Sequence, residues 1–502
     1  NNIQYCTYIK QSSIFKFGFI DTEGKYLVKT SENKVKTVLD DTTYIYNTNT
    51  PKKELFNESI EYKIIKNRIE TLLNSENVNK YNKKRLLYVI HEGSGGTLHT
   101  SMELISQLTN EYDIYILSAG QTSIKLLRYN HIIQKETGKN DDAFKENISK
   151  LYEWELTTKY TLKKPYIPEY KRIYFNVLKI LKIDMIHIRH LIRHTLDLPY
   201  IANKLEIPII LSFHDFYYIC PAYTLIDDQN NYCAGKCSPI ENYNGQCGVT
   251  VGLNVPILKT FVYTWRSYMK RLFNVCELFI TTSNKAKKLY QEIYPELKDK
   301  EFKIIEHGRD IITPNNPLKR INKPVINNPT KILFPGHLSI AKGGKLIENI
   351  KKEDKDNLLE LHYIGSISGM KELGKYGKDH GFYDRNKFNE LVQDINPSFI
   401  GILSIWPETY CHTLTESWGA GIPVLTTNHG ALGERVKENG GGWFISEDPK
   451  KAYKQIISII QDENEYNNKV NEIKDITFKT TKEMSNEYKQ IYEEIFKKKQ
   501  DG

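Results

Sequence analysis

The sequence predicts an α/β protein made of two doubly wound units in series. Three observations predict this. From Lys83 onward, short apolar runs alternate with helical stretches. A Pro- and Asn-rich stretch, residues 313–328, divides these runs into two series. The 502 residues suffice for two or three domains at about 150 residues each. Strands that alternate with helices imply parallel sheets covered by helices on both faces.

Residues 1–82 stand apart. They are rich in Asn, Lys and Thr and poor in periodic apolar pattern. Phe15 to Val28 reads as a small hairpin with Glu23-Gly24 as its turn. Ile60 to Leu73 reads as an amphipathic helix with Ile64, Ile65, Ile69, Leu72 and Leu73 on one side. This segment is expected to be an appendage, or the tail of an upstream domain, and carries no visible chemistry.

The first series places strands at residues 85–90, 113–117, 183–188, 208–212, 278–282 and 302–305. The second places them at 331–335, 360–365, 399–403, 423–427 and 442–445, followed by a long helix over 480–499. The expected organisation is an appendage (1–82), a first Rossmann-like domain (83–315), a second (316–480) and a C-terminal helix (481–502) crossing back to the first.

Composition narrows the function. Hydrophobic residues are 40% and charged residues 26%, which supports folded cores and argues against disorder. A net charge of +9 spread over this length fits an anionic substrate or an acidic membrane surface. It is too diffuse for a nucleic-acid partner, and no nucleic-acid signature is present. No run approaches the roughly 20 apolar residues of a membrane span. The start, Asn1-Asn2-Ile3, lacks both Met and a leader pattern. A processing boundary in a longer natural chain is expected. So is a cytoplasmic location, with peripheral contact at the inner membrane face as a variant. Seven cysteines, an odd number, argue for reduced thiols.

The strongest motif runs from Ser404 to Val424. Glu408 follows a strand, and Glu416 lies in the first turn of the next helix, with seven residues between them. In open α/β sheets, ligands bind at the carboxyl ends of strands. The N–H groups of His412, Thr413, Leu414 and Thr415 would face an anion there, favoured by the helix dipole. Glu416 would then accept ribose hydroxyls, and Glu408 the hydroxyls of a sugar.

Followed by Gly419-Ala420-Gly421-Ile422-Pro423-Val424, this segment resembles the nucleotide-sugar signature of family 4 of the retaining glycosyltransferases, over roughly residues 83–495. The resemblance implies the GT-B fold, in which two Rossmann-like domains face a central cleft. It implies transfer of a sugar from a nucleotide-diphosphate donor to a glycan or lipid-linked glycan acceptor, as in synthesis of a surface polysaccharide or lipid-linked oligosaccharide. Lys342 matches the family lysine that reaches the diphosphate, while His337 stands where the family commonly has Arg. Gly95, Gly96 and Thr97 fall on the loop that faces the diphosphate. His214 resembles the family's cleft histidine. Asp215 beside it and His190 are acceptor-side candidates, with His187 weaker. Gly365-Ser366 and His380-Gly381-Phe382 border the base, and Glu434 has a structural place near the donor pocket. The implied catalytic set is His214, Glu408 and Lys342. The leaving phosphate itself would take the acceptor proton, so no covalent nucleophile is needed. No convincing Asp-x-Asp motif is present, so no cofactor is expected to be required for catalysis.

Cys220, Cys233, Cys237 and Cys247 lie close in sequence. They suit a structural Zn²⁺ about as well as free thiols. Trp265 to Phe273 is basic and aromatic, and reads either as a membrane-surface helix or as a helix with one core face. Three functions compete with the leading one: a nucleotide-sugar epimerase, a phosphorylase of the same fold (for which no pyridoxal lysine motif is seen), and a non-catalytic glycan-binding subunit.

Overall fold

In the computed structural model, the described residues are 5–11, 14–20, 26–30, 34–39, 42–46, 60–75, 83–93, 96–129, 147–227, 229–237, 246–247, 257–258, 261–311, 323–325, 328–370 and 372–501. Most of the linker expected at 313–328, and the turn at Glu23-Gly24, lie outside them.

Strands β1 (Tyr5–Gln11), β2 (Ile14–Ile20), β3 (Tyr26–Thr30), β4 (Lys34–Leu39) and β5 (Thr42–Tyr46) form an antiparallel meander. The hairpin expected at Phe15–Val28 corresponds to the β2–β3 pair, with Ile20 opposite Tyr26. Helix α1 (Ile60–Ser75) buries Tyr62, Ile65, Ile69 and Leu73 against the first lobe. Ile64, expected on that face, is 60% exposed. It lies one residue from Ile65, and 100° per residue turns it away from the stripe.

The first lobe has an eight-stranded sheet. Its strands are β6 (Lys84–His91), β7 (Tyr112–Ala119), β8 (Ser123–Tyr129), β9 (Ile148–Glu155), β10 (Met185–Ile188) and β11 (Ile209–Ser212), then β14 (Leu278–Thr281) and β15 (Phe302–Ile304). A separate two-stranded pair, β12 (Gln246–Cys247) and β13 (Ile257–Leu258), intervenes in sequence. The sheet order is β15-β14-β11-β10-β6-β7-β8-β9. The expectation of a wholly parallel sheet needs correction: β8 and β9 pair antiparallel at one edge. They were missed because Ser123–Tyr129 and Ile148–Glu155 mix charged residues with apolar ones, as edge hairpins do.

The second lobe is a six-stranded parallel sheet of β16 (Thr330–Leu338), β17 (Leu359–Ile367), β18 (Gly377–Asp379), β19 (Phe399–Ile402), β20 (Val424–Thr426) and β21 (Gly442–Phe444), in the order β18-β17-β16-β19-β20-β21. Chain order reverses between β6 and β10 in the first sheet and between β16 and β19 in the second. These two switch points open crevices at the strands' carboxyl ends.

The final helix, Thr481–Asp501, packs on the first lobe. Met484, Tyr488, Ile491, Tyr492 and Ile495 join Leu86, Tyr88, Leu104 and Ile114 in one buried cluster. The helix Phe261–Asn274 turns Trp265, Tyr268, Met269, Leu272 and Phe273 into the core. Its aromatic face is therefore covered by protein, which removes the basis for reading it as a membrane-surface helix. Among the described residues no helix is long and apolar enough to cross a membrane.

Candidate active site between the lobes

Lys342 follows β16 and Glu408 follows β19, so the second switch point places them side by side. Lys342 Nζ lies 2.8 Å from Glu408 Oε2. Glu408 is 6% exposed and also accepts a hydrogen bond from Ser404 Oγ. Burial would raise the Glu408 pKa, but the Lys342 charge and the hydrogen bonds outweigh it, and the net shift is downward. For Lys342, burial pulls the pKa down, yet the Glu408 charge prevails and raises it. Both groups are held ionised. The turn that delivers Lys342 needs glycine: Gly343 has φ +76°, and a Cβ there would collide with Leu403 O.

The helix His412–Gly419 opens at Cys411, which has φ +72° and provides no side-chain cap. Its first N–H groups therefore have no capping side chain at the cleft. Thr413 lies against Gly336 at the end of β16. Leu414 and Thr415 are buried, and the Thr415 hydroxyl accepts from Arg435 Nη2 at 2.8 Å. Any contact these two residues offer a ligand is a backbone contact. Gly365 pairs with Gly336 and donates its N–H to Gly381 O at 2.7 Å. His337 is exposed, and its Nδ1 lies 2.6 Å from Ser366 Oγ.

Glu416 is 7% exposed and held by two guanidinium groups. Arg309 Nη2 lies 2.9 Å and Arg385 Nε 3.2 Å from its Oε1. The same arginines reach Glu103 of the first lobe at 3.8 and 4.0 Å. Burial raises the Glu103 pKa against the pull of both arginines.

On the facing lobe, Gly95 lies outside the described residues. Gly96 opens the helix Gly96–Leu108, and a Cβ added to it would meet the His412 ring at 3.7 Å. The loop thus faces the second lobe's helix start. Thr97 accepts from Ser101 Oγ through its carbonyl. The rings of His214, His307 and His412 form a column across the seam. The centroids are 5.5 and 5.1 Å apart and the planes 3° and 13° from parallel. Burial, and then neighbouring cationic or imidazole groups, push all three well below the usual histidine pKa, so they are neutral at physiological pH. His214 Nε2, His307 Nδ1 and His412 Nδ1 are buried without a hydrogen-bond partner.

Asp215 follows His214 in the chain, yet its ring partner is another histidine. The structure pairs Asp215 with His190 instead, Nε2 to Oδ2 at 3.1 Å. Ile192 N–H donates to His190 Nδ1, so the ring proton sits on Nε2 and is given to Asp215. Asp215 also accepts from Tyr217 N–H. His187 is bonded on both nitrogens, to Tyr492 and Ser212, and is structural. Glu434 accepts from Asn284 and Lys285 N–H, which ties the second lobe to a helix start in the first.

Among the described residues no group of three His, Cys, Asp or Glu is placed to hold a metal. Cys220, Cys233 and Cys237 therefore do not form such a set by themselves, and the Cys247 side chain lies outside the described residues.

The two facing doubly wound lobes constitute the GT-B fold of glycosyltransferases. Residues 318–475, the second lobe, match the family of glycosyl transferases group 1. No curated protein sequence matches the chain. Among solved structures, the chain is similar to Anabaena HepE in complex with UDP, at 14% identity and a TM-score of 0.54, covering 82% of this chain and 100% of that one. A glycosyltransferase from Rickettsia africae is similar at 17% identity and 0.52, covering 83% and 100%. Sucrose-phosphate synthase from Thermosynechococcus elongatus is similar at 12% and 0.51, covering 82% and 99%.

Proposed function

We propose that this chain is a retaining glycosyltransferase of the family 4 type, moving a sugar from a nucleoside-diphosphate donor to a glycan acceptor in the interlobe cleft. The observation that carries the reading is the Lys342–Glu408 pair beside an uncapped helix start, at the switch point of a lobe matching glycosyl transferases group 1. A diphosphate would take the Lys342 ammonium and the first N–H groups of His412–Gly419. Glu408 fixes Lys342 and offers its carboxylate to the sugar. Glu416 accepts the ribose hydroxyls. The neutral His214 ring supplies an unfilled nitrogen beside the transferred sugar. His190 and Asp215, locked to each other, shape the acceptor side.

The chemistry follows from these charges. As the glycosidic C–O bond breaks, negative charge grows on the departing phosphate, and preorganised donors are worth most there, about 3 kcal/mol for a single one. The acceptor hydroxyl attacks on the face the diphosphate leaves and gives its proton to the leaving phosphate oxygen. The Anabaena structure, crystallised with UDP, supports a uridine diphosphate sugar as the first donor to try.

Thermal stabilisation against a panel of nucleoside diphosphates and their sugars tests the reading. A ligand at about 100 times its Kd adds roughly 2.7 kcal/mol. One nucleotide should stabilise selectively, and the binding sugar nucleotide should give a product whose anomeric proton coupling matches the donor's. No stabilisation by any nucleotide, or an inverted product, overturns it.

A further inference from the structure

We propose that Arg309 and Arg385 are donor-diphosphate ligands parked on Glu416, and that ribose binding to Glu416 releases them toward the phosphates. This rests on the proposed function and deepens it.

Charge balance motivates the assignment. A nucleoside diphosphate brings several negative charges to the start of the helix His412–Gly419. The helix itself offers about half a positive charge. Lys342, the cation at the adjacent strand end, is already neutralised by Glu408 at 2.8 Å. His337 is turned to Ser366. More cations are needed, and two stand close by. Both arginines share a single oxygen, Glu416 Oε1. Their positive charge is felt at His412, the first residue of that helix, where it helps keep the imidazole neutral. Arg309 comes from the segment after β15 and Arg385 from the turn after β18, so they reach the same point from the two sides of the cleft.

The pairing also accounts for Glu103. Two arginines on one carboxylate would leave an excess positive charge in a closed seam. Glu103 supplies the balancing carboxylate at longer range, 3.8 and 4.0 Å, and its Oε2 has no hydrogen-bond partner. The four groups form a loose ring in which both arginines bridge the two carboxylates, at shorter range to Glu416 than to Glu103. Ribose hydroxyls on Glu416 would weaken its hold, and the flexible guanidinium groups can then swing to phosphate oxygens, where fork-shaped bidentate contacts are strong.

Titration calorimetry tests this with UDP, ADP and GDP, each beside its parent nucleoside. The proteins are wild type, Arg309→Gln, Arg385→Gln, Arg309→Lys and the double variant Arg309→Gln/His337→Arg. For the nucleotide that binds wild type, Arg309→Gln and Arg385→Gln should each weaken the diphosphate roughly tenfold to a hundredfold, the weight of one charge-assisted hydrogen bond. The nucleoside should bind as before or tighter, because Glu416 is freed. Arg309→Lys should retain part of the diphosphate affinity. His337→Arg should restore part of it by placing a cation at the neighbouring strand end. The proposal is overturned if diphosphate and nucleoside weaken together, which marks the arginines as mere supports of Glu416, or if neither changes. If nothing binds wild type, the proposed function falls, and this inference falls with it. Unchanged melting temperatures of the variants exclude loss of fold as the cause.

Discussion

Lys342 Nζ and Glu408 Oε2 are 2.8 Å apart, although 66 positions separate them in the chain (408 − 342). Each follows a strand flanking the point where chain order reverses. Lys342→Met should therefore do two things. It removes the cation that would meet the diphosphate. It also leaves a buried carboxylate with the Ser404 hydroxyl and the Cys411 thiol as its side-chain donors. A buried charged group that loses its partner costs about 1–3 kcal/mol or more. Lys342 is about a third exposed, which moderates the loss. Chemical denaturation should show Lys342→Met less stable than wild type and Glu408→Gln/Lys342→Met closer to it. Equal losses in the single and double variants would mean that the unpaired carboxylate is not the source of the cost, and a double variant whose loss equals the sum of Lys342→Met and Glu408→Gln alone would mean the pair is not coupled.

The same pair sets a pH window. Glu408 has a lowered pKa, so its stabilising share is present above the ordinary carboxylate range and fades as pH falls through its folded value. Lys342 has a raised pKa, so its share is present at neutral pH and fades only as pH rises through its folded value. The difference in stability between wild type and the double variant should be flat across neutral pH and shrink in acid. A difference that grew toward acid would refute the assignment of charges.

Histidines dominate the approach to acid. His91 is pushed down to about 3 and His194 to about 4, mainly by burial, and His187, His214, His307 and His412 lie well below the usual value. The unfolded chain takes protons on these rings below about pH 6.5, while the folded chain does not. Stability is thus complete above that pH and is lost as pH falls toward the lowered folded values. Each ring contributes a slope of up to about 1.4 kcal/mol per pH unit. Melting temperature should drop steeply between about pH 6.5 and pH 5, and His307→Phe, which keeps a flat ring in the column, should make the drop shallower. An unchanged slope would show that His307 titrates normally in the folded protein.

Glycine fixes the strand ends that present the site. Gly365 has φ +118°, and a Cβ there would run into Gly336 O, the backbone of the neighbouring strand. Gly343 is equally closed off by Leu403 O. Gly343→Ala and Gly365→Ala should each lower stability by more than the roughly 1 kcal/mol of an average point substitution and abolish nucleotide binding. By contrast Gly374→Ala has open space and an ordinary backbone, and should behave as wild type.

Much of this architecture was legible because parallel strands buried on both faces are nearly continuous apolar runs, as in Leu86–Ile90 and Phe399–Ile402. Glu408, Glu416 and Lys342 were legible because one local motif carries each. Glu103, Arg309 and Arg385 were not. Each sits in an unremarkable local context: Arg385 reaches Glu416 from a separate loop of the same lobe, and Arg309 and Glu103 arrive from the chain's first lobe. The bond between Asp215 and His190 was not legible for a related reason. His214 and Asp215 are adjacent in sequence, but they lie in the bend that follows β11, where the chain turns and sends the two side chains to different neighbours. Asp215 therefore meets His190 from the next strand's end, and His214 turns to His307.

The C-terminal helix offers the clearest test of long-range burial. Tyr492 OH lies 2.7 Å from Tyr88 OH and 2.6 Å from His187 Nδ1, all of them buried. The His187 ring is fixed at its other nitrogen by Ser212, at 2.7 Å. Tyr492→Phe keeps the packed ring and deletes only the hydroxyl, so cavity formation is minimal. It strands one phenol and one imidazole nitrogen in a dry cluster, at about 1–3 kcal/mol for a buried group left unpaired. Urea unfolding should show this as a lowered midpoint with an unchanged slope. Because His190 lies only three residues after His187, the loss should stay one of stability only if β10 is held by its neighbouring strands. Those bonds are present on both sides, to β6 and β11. Nucleotide affinity of Tyr492→Phe should thus match wild type at temperatures where both are folded, and a parallel fall in affinity would show that the helix tunes the cleft directly.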